Sequence, residues 1–445
     1  MDYKTVMENK VVEYLDASTS IAIDLLRRLV RIPSAEGTGE VIIPAVAKLM
    51  RELGADMVDE FLPDIEELRS HPGYSPVHPE HSSTAGGEAP VVVGRFDGLG
   101  GGRSLMFYGH MTSGTPAWEP AVVAKMRFDP WGAVVQDGRL YGRGAYNMKA
   151  GNAAGLVALQ AIRSVGIRLR GDVLFGFNSD EDVGSNGALA TVLRGYTADA
   201  GINPEPTSLW ICPSTGGPMW FRLEVVGRSA FGGWEVGVNA IDKAILVYEA
   251  IKEYAGYRKE EAHHPLYDGL VNAAPLGVGV FRAGNWPSNT PEVVIIEGRI
   301  GCLPGEDLET IRSEFEGRIA RVESKDAWLR EHPVKVIWTA RWEPVMTDPT
   351  HPIVQTACDV YRSVVGEEPT VSGKTAGNDM TKFTLYGGMP SINWGAGGGP
   401  FGHRKASETV DSNPGFDEYV SLDSFHTLVK LFAVTLIRWC DVDGG

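Results

Sequence analysis

Hydrophobic positions along the chain alternate between two spacings. In RSLMFYGH (103–110) and GDVLFGFNS (171–179) the apolar residues form short, nearly continuous runs of strand length. Between them, MKAGNAAGLVALQAIRSVG (148–166) is alanine-rich and long enough for a buried helix. The second strand runs into Asp180, Glu181 and Asp182 just before another helical segment. Such alternation predicts an α/β fold. In open α/β sheets, ligands bind beyond the carboxyl ends of the strands, so this acidic cluster marks a candidate site; the plainer alternative is an acidic helix start.

From Met219 to Arg341 the rhythm changes. MWFRLEVVG, NAIDKAILVYEAIKEYAG, APLGVGVF, EVVIIEGRI, DLETIRSEFEGRIARVES and VKVIWTA read as strand, helix, strand, strand, helix, strand. This βαββαβ order predicts a ferredoxin-like sheet with helices on one face, inserted into the first domain. The expected division is 1–218 and 342–445 for one domain and 219–341 for the insert. The last part continues with a helix near Ile353–Val365, a Gly-rich strand region PSINWGAGGG and an amphipathic helix from Ser421 to Trp439. No repeat at a spacing of 20 to 50 residues interrupts this plan, which excludes a solenoid or propeller.

Composition narrows the function. The 445 residues exceed one ordinary core, and 43% hydrophobic with 22% charged residues is the balance of a globular enzyme. With 57 acidic and 41 basic side chains the formal charge is −16, which repels nucleic acid and anionic membranes alike. No apolar run approaches the ~20 residues that span a bilayer. The start is charged and amphipathic, without the layout of a signal peptide, so a cytoplasmic protein is expected. Cys212, Cys302, Cys358 and Cys440 are widely spaced and read as reduced thiols, Cys212 as a core residue.

His110 at a strand end is weak by itself, but it opens an ordered series. Gly109-His110 is followed by GRLYGRGAYNMK, SDEDVGSNG, PEPTSL, GRSAFGG and VGVNAI. The series resembles the acetylornithine deacetylase and succinyl-diaminopimelate desuccinylase family of zinc peptidases and aminoacylases, over nearly the whole chain. The resemblance implies a mixed-sheet catalytic domain with an inserted lid that also pairs two subunits. It also implies two zinc ions held by a His-x-Asp strand end, a GRGxxDMK turn, a Glu-Glu pair, a Glu-Pro-Thr segment and a late histidine. The first Glu of the pair is the general base on metal-bound water, which here is Glu181.

Carried over by position, His110 and Glu205 match the terminal ligands of one metal, and Asp182 stands where the second Glu of the pair binds the other. Asn147 replaces the bridging Asp, and an uncharged amide bridges two cations poorly. An N-cap of the following helix is the preferred plain reading of Asn147. Thr112 replaces the Asp of His-x-Asp, two positions from His110 on the same strand face. For the late histidine, Pro414 has the right spacing to Glu418, whereas His403 has the right spacing from the glycine turn, and an inserted loop reconciles the two. Phe231 takes the place of an oxyanion-steadying histidine. The position of a carboxylate-gripping arginine is Gly301, with Arg299 two residues away. Asn239 and Asp379 match family positions and join Thr112, Phe231 and Arg299 as candidate substrate contacts.

The Gly-rich stretches at 98–104 and 395–402 lack a dinucleotide-binding setting and read as turns. No GxSxG elbow is present. With Glu205 and Asp182 as the remaining terminal carboxylates, the charge suits one divalent ion. Zinc, cobalt or manganese are the candidates, and a metal-free site is the other option. Three functions follow: a hydrolase of an amide or related C–N bond in a small molecule; a metal-independent enzyme using Glu181, Asp182 and Glu205 for acid-base chemistry; or a non-catalytic homologue that binds a small molecule. The expected partners are a small-molecule substrate and a second copy of the chain, paired through the insert.

Overall fold

The computed structural model describes residues 3–35, 38–76, 89–113, 125–231, 236–399 and 417–443. The chain divides into two compact units. One comprises Met1–Thr215, Val345–Lys374 and Asn378–Gly445; the other comprises Gly216–Pro344 and Thr375–Gly377.

The first unit is built on a nine-stranded mixed sheet. At its centre Leu105–His110 lies between Val173–Asn178 and Ala200–Asn203, parallel to both. Ser391–Asn393 extends the parallel set beside Ala200–Asn203, and Val371–Lys374 runs parallel to Ile211–Thr215. Every residue of Leu105–His110 and of Val173–Asn178 is buried, as a strand covered on both faces requires. Alternate side chains show the two covers. Phe107 packs on Phe432 of helix Leu422–Cys440, while Tyr108, pointing the other way, packs on Phe383 of helix Met380–Leu385.

Small residues let helix Ala150–Ser164 approach the sheet. A Cβ at Gly155 would stand 3.1 Å from the rings of Phe107 and Phe175, and one at Gly151 would stand 2.1 Å from the Pro204 carbonyl oxygen. The alanine-rich composition therefore sets how closely the helix approaches the loop that carries Glu205. A second, four-stranded antiparallel sheet runs in the order Gly398–Gly399, Tyr419–Ser421, Arg139–Tyr141, Val134–Gln136. It brings Glu418 against the turn at Gly142–Asn147.

The second unit is the expected βαββαβ arrangement. Its antiparallel sheet runs Leu276–Ala283, Val293–Ile300, Met219–Val226, Lys335–Arg341. Phe221, Leu223 and Val225 are buried at alternate positions. They form one core with Val247, Ile251 and Tyr254 of helix Ala240–Glu261 and with Ile311, Phe315 and Ile319 of helix Leu308–Lys325. Among the described residues, no helix is long and apolar enough to cross a membrane.

Candidate active site

The parallel strands Leu105–His110, Val173–Asn178 and Ala200–Asn203 bring their carboxyl ends together, and the polar residues just beyond them converge. His110 has no exposed surface. Its Nδ1 meets the backbone carbonyl of Thr112, so Nδ1 carries the proton. Nε2 lies 3.2 Å from Asn147 Oδ1 and 3.7 Å from Glu205 Oε1. Two chemical states satisfy three such atoms. An imidazolium donates to the two oxygens, or a neutral ring turns its lone pair, with theirs, onto a cation. Burial disfavours the imidazolium, but the Glu205, Asp182 and Asp379 carboxylates outweigh it and hold the ring above its ordinary value.

Glu181 sits in the single turn Glu181–Val183 that follows Val173–Asn178. One ligand atom each from His110, Glu181 and Glu205 lie within 4.8 Å of one another, and all three residues are buried. This donor set, nitrogen with two carboxylates, all buried, fits one divalent ion or the protonated, metal-free state. Burial pushes the Glu181 carboxyl well above the carboxylate range, and Glu205, Asp182 and Asp379 add to the shift while Lys374 opposes it.

Asp182 is half-buried and lies outside that three-donor group. Asp180 faces the other way, taking the Gly187 N–H on both oxygens at 3.0 and 2.9 Å, and burial pushes it up to about 7. Asp379 is fully buried and accepts from Asn178 Nδ2 at 2.8 Å. Its Oδ1 is buried without a hydrogen-bond partner, and burial pushes the carboxyl up to about 6.

Asn147 is placed by a neighbour whose position in the sequence served only as a spacing marker. Glu418 accepts the backbone N–H groups of Gly144, Tyr146 and Asn147 at 2.8, 3.0 and 3.0 Å. Burial raises the Glu418 carboxyl, and these three donors oppose that rise. The N-cap expectation for Asn147 is corrected. Helix Ala150–Ser164 has Lys149 at its N-cap position, and Asn147, at φ −115° and ψ 96°, stands before it and turns its amide to His110. The irregular Gly144–Lys149 backbone leaves the side chain too early to cap, with its amides already committed to Glu418.

Thr112 is buried beside His110 as its strand spacing predicts, and its carbonyl takes over the orienting bond to the ring. Asn239, Phe231 and Arg299 belong to the second unit. Asn239 caps helix Ala240–Glu261, accepting the Ile241 N–H at 2.9 Å. Phe231 is 77% exposed and bridges to Asn289, and Arg299 is exposed on Val293–Ile300 opposite Trp220 and Gly277. His403 lies outside the described residues. All four cysteines are free and buried, and burial pushes the Cys212 thiol up to about 12, the opposite of what a nucleophile needs.

Sequence reasoning missed Lys374, whose Nζ is 3.3 Å from Glu205 Oε2. A lysine ending a strand carries no signal until the fold places it among acids.

The chain matches the model of peptidase family M20/M25/M40 over residues 106–438. It is 23% identical over 457 residues to the N-formyl-4-amino-5-aminomethyl-2-methylpyrimidine deformylase of Bacillus subtilis (strain 168), spanning 98% of this chain and 97% of that one. It is 23% identical over 337 residues to a probable succinyl-diaminopimelate desuccinylase of Staphylococcus aureus (strain MRSA252), spanning 70% and 78%. The fold is shared with the dipeptidase Dug1p of Saccharomyces cerevisiae at a TM-score of 0.74 and 15% identity, over 98% of both chains. The chain therefore belongs to peptidase family M20/M25/M40, as a hydrolase of amide or peptide bonds in small molecules whose candidate metal-holding cluster, among the described residues, is the reduced set His110, Glu181 and Glu205.

Proposed function

We propose that Glu181 is the general base of an amide hydrolysis carried out at one metal position. The observation that supports it is a buried carboxyl held well above the carboxylate range within ligand distance of His110 and Glu205. A divalent ion held by His110 and Glu205, with the Asn147 amide oxygen beside them, would acidify a water. Glu181 takes a proton from the attacking water as the water oxygen adds to the substrate carbonyl carbon. Glu181 then returns the proton to the leaving nitrogen as the C–N bond breaks, releasing a carboxylic acid and an amine. The alternative position for that single ion is at Asp182, with His403 as its other ligand.

The substrate we favour is a small N-acyl amide, with a formamide first. The deformylase matches this chain almost end to end. Phe231 and Gly301 also replace the histidine and arginine that the family resemblance assigns to the oxyanion and the carboxylate. That reading places the chain among acylamide hydrolases and away from the desuccinylases proper. The residues 219–341 are proposed as a lid that pairs two copies in a cytoplasmic homodimer. Ile245, Leu246, Phe281 and Val293 are apolar and exposed on the second unit, and the four thiols remain unpaired.

The test is steady-state hydrolysis of N-formyl amines against N-acyl amino acids by wild-type protein and Glu181→Gln, with and without added zinc. Turnover of the formyl substrates that Glu181→Gln abolishes supports the reading. A Glu181→Gln protein with unchanged turnover removes Glu181 as base.

A further inference from the structure

Of the buried acids at the strand ends, Glu181 and Glu205 face Lys374, while Lys382 acts on Asp180. Lys374 closes strand Val371–Lys374, where it pairs with Thr215, and it is 8% exposed. Its Nζ stands 3.3 Å from Glu205 Oε2 and 3.4 Å from the Pro206 carbonyl oxygen. Glu205 is thereby divided. Oε1 faces His110 Nε2 at 3.7 Å, on the side where an ion fits, and Oε2 faces the ammonium.

We propose that Lys374 is a built-in counter-cation that occupies the second oxygen of Glu205, so that Glu205 serves one ion only, on its Oε1 side, and part of the cluster's carboxylate charge is met without another ion. The proposal rests on the one-metal reading given above. Charge arithmetic supports it. An amide at 147 removes one negative charge relative to a carboxylate, and an ammonium at 374 adds one positive charge relative to a neutral side chain. The two together amount to +2, the charge of one divalent ion. Geometry supports it too. A cation at Glu205 Oε2 would stand against the ammonium at contact distance, where like charges repel strongly in a buried setting. The tethered ammonium needs no metal supply, and its contacts to Glu205 Oε2 and the Pro206 carbonyl hold Glu205 in place as well.

The experiment is calorimetric titration of zinc into chelator-stripped, full-length protein, comparing wild type with Lys374→Met and Lys374→Arg. Thermal unfolding of each variant is read alongside. Wild type should take up one equivalent. Lys374→Met, which keeps the length and loses the charge, should take up a second equivalent or bind the first at least about tenfold more tightly. Lys374→Arg should stay near wild type, which a packing role alone would not require. Should Lys374→Met fail to fold, Lys374→Gln replaces it in the same comparison. Uncharged variants that match wild type in both stoichiometry and affinity overturn the role of Lys374 and leave the one-metal reading standing. A wild type that binds no zinc beside a Lys374→Met that binds one supports the role of Lys374 and removes the one-metal reading. Two equivalents in wild type overturn both.

Discussion

Buried charge is handled in opposite ways in the two units. In the second unit it is matched: buried Arg222 meets buried Glu297 at 2.7 Å, buried Arg258 reaches half-buried Glu306 at 2.8 Å, and the half-buried pair Lys243 and Asp326 meets at 2.7 Å. At the strand ends of the first unit, Asp180, Glu181, Glu205 and Asp379 are all buried, against Lys374, Lys382 and the ring of His110. Pairing marks a unit whose charges serve the fold. An uncompensated acidic cluster costs stability, persists only where the fold over-determines it, and is the arrangement that raises a general base and attracts a cation.

The largest effect expected from this contrast is at Glu181. Glu181→Gln should lower turnover by roughly 10²–10⁴-fold while the protein melts at or above the wild-type temperature, because a carboxylate repelled by its neighbours has been removed. A variant that lost stability along with activity would show that Glu181 serves the fold. In the second unit the sign reverses. Arg222→Met leaves Glu297 to the longer Arg282 contact at 3.5 Å and should cost about 3 kcal/mol in urea unfolding of that unit. A loss under about 1 kcal/mol would place this pair with ordinary surface pairs and dissolve the contrast.

Asn147→Asp sharpens the comparison at the site itself. It adds one negative charge 3.2 Å from His110 Nε2 and should tighten zinc binding about tenfold by calorimetry, with a lower melting temperature when metal is withheld. The smallest effect is a pH slope. Burial lowers Lys149 to about 7, so in the folded state it gives up its proton below its unfolded value. The unfolded chain then binds more protons between about pH 7 and the ordinary lysine range, and stability rises with pH across that window, by at most about 1.4 kcal/mol per unit. Urea midpoints at pH 7 and 9 should differ in wild type and converge in Lys149→Met.

The fold was legible because its signals are local. The run LMFYGH, the alanine-rich segment after Asn147 and the βαββαβ order of the insert each carry their own periodicity, and the observed elements follow them. His110, Glu181 and Glu205 were legible because they stand at strand ends in a fixed order. The rest was hidden for physical reasons. Lys374 and Glu418 act through partners 169 and 271 residues away, counted from Glu205 and Asn147, and no window of sequence contains both members of either pair. Thr112 looked like a lost carboxylate, yet its backbone carbonyl performs the orienting bond, a group every residue supplies. Asn239 matched a family position in the sequence, and its cap of helix Ala240–Glu261 shows only in the structure.

The central claim is that this cluster holds a reduced charge of metal, at most one ion, under an excess of buried carboxylate. Metal content per chain decides it most directly, by elemental mass spectrometry on protein purified without chelator or a metal-binding tag and then equilibrated with zinc. The account predicts no more than one zinc per chain, retained in Glu205→Gln at a lower level than in wild type. Two zinc ions per wild-type chain would contradict it.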